Sequence, residues 1–323
     1  MNSEKLATLV KQHALALGFD TVGITDLGPT PHADTLREWL SRNMAGTMRY
    51  MHRQEKYRAQ PASIVPNTSR AIVLTRGYFN SNGRQPVGTG RVAKYARGAD
   101  YHDTLRQPLE DLASYVRSLG SPDTIARTFV DAGPVPEREL AQRAGLGWIG
   151  KNTMLIAPTR GSFFFLAAVF TNLDLAIDDP FEADRCGSCT RCLDACPTTA
   201  FDRERLLDSR RCISYLTIEF GGEIATELRA LMGDWIFGCD ICQDVCPWNA
   251  KFASVRQDRE LGLDPSRAFE DLGSLIEIED AEFRRRFGWT PLDRPGVVGV
   301  RRNAVIAAEN SKRGDSCRTS QTQ

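Results

Sequence analysis

Eight cysteines crowd one stretch of the chain: Cys186, Cys189, Cys192, Cys196, Cys212, Cys239, Cys242 and Cys246. A ninth, Cys317, stands apart near the end. The first run reads Cys186-x2-Cys189-x2-Cys192-x3-Cys196-Pro197. Three thiolates so spaced can wrap three irons of one cubane cluster, while the fourth, followed by Pro, heads away toward a second cluster. The second run, Cys239-x2-Cys242-x3-Cys246-Pro247, is one cysteine short, and Cys212 upstream can fill the vacancy. The expected sets are Cys186, Cys189, Cys192 and Cys246 for one [4Fe–4S] cluster, and Cys212, Cys239, Cys242 and Cys196 for the other. Two structural zinc sites would also consume eight thiolates, but zinc favours separated C-x2-C pairs rather than close runs that twice end in Cys-Pro. Many such clusters sit near roughly −400 mV, so two in series form a wire for low-potential electrons.

Outside the cysteines, Asp131 ends an apolar run and is followed by Ala-Gly-Pro-Val-Pro-Glu-Arg. A carboxylate at a strand's C-terminal end suits proton transfer, since burial raises its pKa; a turn or N-cap Asp has the same local pattern. Gly145-Leu-Gly147-Trp-Ile-Gly150 fits G-x-G-x-x-G, but a helix rather than a strand precedes it, and Asn152 stands where a P-loop needs Ser or Thr. Gly88-Thr-Gly90-Arg-Val-Ala93 is a weaker match of the same kind. Tight turns explain both, although a loop ending in Lys151 and Asn152 could cradle an anionic or amide-rich cofactor. Asp100-x-His102-x-x-Leu105 lacks the Gly of the cobalt-ligating D-x-H-x-x-G segment, so His102 is not assigned to cobalt. Arg284, Arg285 and Arg286, with Arg294, Arg301, Arg302, Lys312 and Arg313, offer phosphate contacts or a solvated helix face.

The elements that must position these groups follow from periodicity. Leu6, Leu9, Val10, Ala14 and Leu17 recur at helical spacing, with Ser3 as cap and Gly18 as stop. Residues 21–24, 71–75, 125–130 and 163–170 read as strands, and 35–43, 103–119 and 137–144 as helices. This alternation up to about residue 178 predicts an α/β domain with a central sheet. Residues 179–255 hold the cysteines on short loops and helices. Residues 256–313 look helical and basic: from Arg284 to Arg318 there are nine Lys or Arg against three Asp or Glu. Residues 314–323 read as a polar, disordered tail. Lys plus Arg equals Asp plus Glu, 41 each, so net charge favours no class of partner. With no export signal in residues 1–17 and no apolar run long enough for a bilayer, the expectation is a cytoplasmic protein away from membranes.

Several segments together resemble epoxyqueuosine reductases, a family of cobalamin-dependent iron–sulfur enzymes of tRNA modification. They are residues 95–102 (YARGADYH), 130–138 (VDAGPVPER), 147–152 (GWIGKN), the first cysteine run, 211–217 (RCISYLT) and 238–249 (GCDICQDVCPWN). The resemblance spans about residues 1–312. It implies an α+β chain: an N-terminal cobalamin-binding catalytic domain, a bacterial-ferredoxin-like module with two [4Fe–4S] clusters, and a short HEAT-like helical region. It implies base-off cobalamin contacted by Arg58, Gly150, Lys151, Asn152 and Asp240. It implies tRNA carrying epoxyqueuosine as partner, with Arg285, Arg286, Arg301 and Arg302 as nucleic-acid contacts, and a low-potential donor such as ferredoxin or flavodoxin. In the implied reaction, electrons pass through the clusters to give Co(I), which engages the epoxide-bearing carbon. Asp131 protonates the departing oxygen, and a second reduction with loss of water leaves the cyclopentene of queuosine. A monomer is expected.

Two other readings remain at this point. A cobalamin-dependent reductive dehalogenase shares the layout, but it resembles the chain less around residue 131 and uses a Tyr donor. A ferredoxin-like electron-transfer subunit without catalysis would have no use for the large N-terminal domain or for Asp131 in its context.

Overall fold

A computed structural model describes residues 1–255 and 261–319, the last seven as backbone only. The chain forms two compact units, and each gathers segments distant in sequence. The first comprises residues 1–77, 101–189 and 247–253; the second comprises 78–100, 190–246 and 254–323. Residues 78–100, expected in the N-terminal domain, thus group with most of the cysteines, whereas 179–189 and 247–253 group with the first unit.

At the centre of the first unit lies a four-stranded sheet in the order Thr21–Asp26, Arg70–Gly77, Phe164–Thr171, Ala126–Phe129. Every pairing is antiparallel, so the parallel order typical of α/β domains is absent from this sheet. The two central strands pair from Arg70↔Thr171 to Gly77↔Phe164. They are apolar on both faces because helices cover both. Ala71, Val73, Ala168 and Phe170 pack with Leu140 and Ala141 of the helix Glu137–Arg143. With side chains alternating along a strand, Ile72, Leu74 and Val169 face the other way, toward the helices Ser3–Ala16 and Arg106–Ser118. The first of these buries Leu6, Val10 and Ala14 as its spacing predicts, and Ala7 besides, while Leu9 and Leu17 are half-buried; its N-cap is Asn2, whose side chain accepts from Lys5 N. Gly23 is required here: a Cβ would lie 2.2 Å from the Ala144 carbonyl oxygen at the end of Glu137–Arg143. The expected helix over 103–119 is broken at Leu105 into Tyr101–Thr104 and Arg106–Ser118. Pro247–Phe252 returns late in the chain to complete this unit: the Asn249 amide accepts from Ser162 N at 2.6 Å and donates to Ser162 Oγ at 2.9 Å.

The second unit is built on a three-stranded sheet in the order Trp235–Phe237, Thr89–Val92, Phe269–Asp271. The first pairing is parallel and the second antiparallel. The region after residue 256 is therefore not purely helical: it contributes a strand before the helices Leu272–Glu277, Asp280–Phe287 and Gly296–Thr319. Leu275, Phe283, Phe287, Val300 and Ala304 close a core over Ile236 and Phe237. Inside it, Asn303 donates to the carbonyls of Thr217 and Ile236, both at 2.9 Å, so neither acceptor is buried unpaired. The last helix runs through Thr319, which corrects the expectation of a disordered tail for 314–319; residues 320–323 lie outside the described residues. Among the described residues, no helix is long and apolar enough to cross a membrane.

Candidate functional site

Asp131 stands just past the strand Ala126–Phe129 with φ +43°, in the left-handed region that few residues other than glycine adopt. Such a conformation persists only where its surroundings enforce it, and three contacts do so here. Tyr101 donates its phenolic O–H to Asp131 Oδ2, with its own ring stacked on Phe165. The Asp131 N–H donates to Glu137 Oε1 at 2.9 Å. Arg58, at the end of the helix Arg49–Ala59, donates to the carbonyls of Gly133 and Val135 at 3.2 Å each, pinning the loop behind Asp131. Sequence reasoning found Asp131 but missed Tyr101 and Glu137, although both lie inside the segments that carried the resemblance.

The electrostatics of this cluster are dominated by its enclosure. Burial and then the Asp131 charge push the Glu137 carboxyl up to about 8, against the N–H of Asp131 and the charges of Arg58 and Arg138. Burial lowers the affinity of both guanidiniums for their protons.

Arg138 reaches from this cluster to the Thr153 carbonyl at 2.7 Å and so ties in the glycine-rich loop. That loop forms a hairpin, Trp148–Ile149 against Leu155–Ile156, and no helix follows it. The dinucleotide and P-loop likenesses therefore fail on local structure. Gly147 and Gly150 serve the tight hairpin: a Cβ at Gly147 would lie 2.1 Å from the Ile156 carbonyl oxygen. Lys151 and Asn152 are buried at its tip, and the Asn152 side-chain Oδ1 accepts from Met154 N.

The eight clustered cysteines form no disulfides among themselves, and each lies on a short loop or short helix. Cys186 Sγ, in the first unit, accepts from Trp148 Nε1 at 3.4 Å. In the second unit, the short helices Arg191–Asp194 and Ile241–Asp244, which carry Cys192 and Cys242, pack against each other. Cys196 Sγ accepts from Ala200 N at 3.3 Å, Cys212 from the N–H groups of Tyr215 and Ser214, and Cys239 from that of Ile241. Burial pushes the thiols of Cys212, Cys239 and Cys242 up. Buried sulfurs that accept N–H bonds yet resist ionisation are suited to cationic partners, which irons supply.

Other sequence candidates have structural work. Asp240 is 1% exposed, accepts from Lys94 N at 2.8 Å, and pairs with the equally buried Lys94 ammonium at 3.5 Å. Its side chain lines no open surface. Arg286 pairs with Glu270, Arg301 donates to the Ile278 carbonyl, and Arg302 donates to the carbonyls of Leu216, Phe220 and Gly222. Arg285 is exposed, as is Arg284, with Glu282 and Asp280 respectively as partners one turn back. His102 stacks on Tyr101. The side chain of Cys317 lies outside the described residues.

A helix-covered antiparallel sheet presenting a clamped carboxylate, in a chain with eight closely spaced thiols of which four accept N–H bonds, defines an iron–sulfur oxidoreductase. Residues 185–249 match the 4Fe-4S double cluster binding domain, and residues 58–132 match the family described as Epoxyqueuosine reductase QueG, DUF1730. The epoxyqueuosine reductase of Vibrio cholerae is 39% identical over 96% of this chain and 85% of its own length; that of Pseudomonas aeruginosa is 40% identical over 95% and 86%. A crystal structure of an epoxyqueuosine reductase with an epoxyqueuosine-modified tRNA-Tyr stem loop superposes with a TM-score of 0.88, at 31% identity over 96% of this chain and 83% of that one. The enzyme from Bacillus subtilis, captured with its catalytic aspartate loop swung out of the active site, superposes with a TM-score of 0.87 at 30% identity, over the same shares of the two chains. The chain belongs to the epoxyqueuosine reductase family.

Proposed function

We propose that this protein reduces epoxyqueuosine to queuosine within tRNA, with Asp131 as the proton donor to the departing epoxide oxygen. The observation that carries the reading is Asp131 itself, held past a strand end at φ +43° between the Tyr101 hydroxyl and the Glu137 carboxyl. Tyr101 occupies Oδ2, which leaves Oδ1 to face the substrate oxygen. Electrons come from a low-potential donor such as ferredoxin or flavodoxin. One [4Fe–4S] cluster is held by Cys186, Cys189, Cys192 and Cys246, and the other by Cys212, Cys239, Cys242 and Cys196.

Base-off cobalamin fits the residues beside Asp131. Arg58 Nε is buried without a partner among the described residues, and it sits on the side chain that braces the Asp131 loop. Gly150, Lys151 and Asn152 add a tight turn with an ammonium and an amide, suited to the amide-rich rim of a corrin. When bound, cobalamin supplies a low-potential, strongly nucleophilic cobalt for opening the epoxide. The chain's own part is to bind the splayed-out base, exclude water and place the proton. Arg284 and Arg285 are the exposed cations of the C-terminal region best suited to tRNA phosphates. A cytoplasmic monomer completes the reading.

The test is anaerobic purification with added cobalamin, followed by ultraviolet–visible and electron paramagnetic resonance spectra and by turnover on epoxyqueuosine-containing tRNA. Two [4Fe–4S] signals with a base-off Co(II) signal are expected. D131N keeps all of these and loses turnover. Wild-type turnover in D131N removes Asp131 from the mechanism, and two clusters with no corrinoid affinity remove cobalamin.

A further inference from the structure

A buried indole N–H needs an acceptor, and that of Trp148 finds sulfur. Trp148 is 1% exposed, and its Nε1 donates to Cys186 Sγ at 3.4 Å. Cys196, Cys212 and Cys239 accept from backbone N–H groups, which nearly every residue type carries. At Cys186 the donor is a side chain, so the bond depends on the residue at 148. We infer that Trp148 is a positioning residue that raises the reduction potential of the cluster ligated by Cys186, through its N–H bond to that sulfur. The inference rests on the reading of Cys186 as a ligand of that cluster.

The packing holds the bond in place. Trp148 pairs with Ile156 in the hairpin. Phe181 stacks on its ring at 5.6 Å and 27°, and Trp248 meets it edge-on at 4.9 Å and 75°. Trp248 Nε1 donates to the Arg185 carbonyl at 3.3 Å, one residue before Cys186, and the Arg185 guanidinium lies over the Phe181 ring at 5.4 Å. Cys186 N donates to Asp184 Oδ1 at 2.9 Å, which fixes the loop on the acceptor side. All of these residues belong to the first unit. The sign of the effect follows from charge. One electron arrives from the low-potential donor and is passed on, with no cysteine bond broken, and while it resides on the cluster the ligating sulfurs are more negative. An N–H dipole with its positive end on one of them is worth more in that reduced state than in the oxidised one, and aromatic surroundings screen it less than water would. The bond therefore favours reduction.

The test compares wild type, W148F and W248F as anaerobically purified holoenzymes in redox titrations followed by electron paramagnetic resonance, with C186S identifying the signal of the cluster concerned. W148F keeps an aromatic ring beside Phe181 and Trp248 but has no N–H. At a fixed ambient potential the reduced-to-oxidised ratio of that cluster should fall about tenfold in W148F, the weight of one hydrogen bond, which is a midpoint about 59 mV lower for a one-electron couple. The midpoint of the other cluster should not move. W248F loses an indole N–H from the same aromatic group, but one that serves a carbonyl, and should leave both ratios unchanged. In wild type isotopically labelled at its indole nitrogens, pulsed resonance should show an indole nitrogen coupled to the reduced cluster and absent in W148F; should W148F fail to assemble, this coupling decides. An unchanged midpoint in W148F, with C186S still losing one cluster, overturns this inference alone, as does an equal shift in W248F or a wild type without the coupling. C186S retaining both clusters overturns the ligand reading and the role of Trp148 with it.

Discussion

Tyr101→Phe deletes one hydroxyl and little else. The ring of Tyr101 lies 4.3 Å from that of Phe165, at an interplanar angle of 11°, and 4.2 Å from that of His102. A phenylalanine keeps both contacts. What is lost is a hydrogen bond to a carboxylate, whose net contribution is about 1.5–3 kcal/mol. At about 1.36 kcal/mol per decade of rate, that converts to a fall of roughly 10- to 150-fold if the bond serves to aim Asp131. The loss should appear in single-turnover rate and kcat, with KM for the modified tRNA within about twofold, because the hydroxyl bonds to Asp131, the proposed donor. The thermal unfolding midpoint should fall by roughly 3–12 °C, at about 2–4 °C per kcal/mol. Single-turnover reduction under anaerobic conditions, with melting of the same preparation, measures both. A variant within twofold of wild type, or one whose defect lies wholly in KM, would show that the Tyr101 bond does not position the donor.

Lys94→Met should cost about 3–5 kcal/mol in denaturant unfolding, because it leaves Asp240 buried without its ammonium partner. Burial already pushes the Asp240 carboxyl up, and losing Lys94 pushes it further. A raised folded-state value means stability that is present at low pH and lost as pH rises, so the deficit should widen with pH and shrink when Asp240→Asn is added. Cys212→Ser should remove one of the two iron–sulfur signals and leave the other, measured by iron content and electron paramagnetic resonance. Asn303→Ala strands the carbonyls of Thr217 and Ile236 in the core and should lower stability by about 2–4 kcal/mol, read from the unfolding midpoint.

The cysteine pattern was legible because cluster ligation is written in short-range spacing, and Asp131 because a strand, a carboxylate and a Gly-Pro turn stand in line. Much else depends on partners far along the chain. The four sheet strands were recognised within a few residues at either end, yet nothing local in them distinguishes parallel from antiparallel neighbours when both faces are covered. Thr89–Val92 escaped notice because Gly90 and Arg91 lack strand character; Gly90 is there because a Cβ would lie 2.4 Å from Ile236 Cγ2 of the neighbouring strand. Arg49–Ala59 buries no residue fully and so shows no apolar stripe to read. Asp240 looked available because it lies between two cysteine ligands, and only the fold brings Lys94 to it. Arg301 and Arg302 looked like a basic face because sequence does not reveal which arginines cap carbonyls inside the core. Glu137 was visible as a helix residue, but its proximity to the Asp131 backbone required the loop to turn back.

The interleaving of the two units along the chain sets an order of events at the ribosome. When Cys189 has emerged, the first unit still lacks Pro247–Ala253 and with it Asn249, which satisfies both the N–H and the hydroxyl of Ser162. About 60 more residues must be made, which takes roughly 3–13 s at ordinary elongation rates. For that interval the first unit waits without Asn249 while the second unit's cysteines appear one after another. Neither unit can be finished on a nascent chain before the other is largely made.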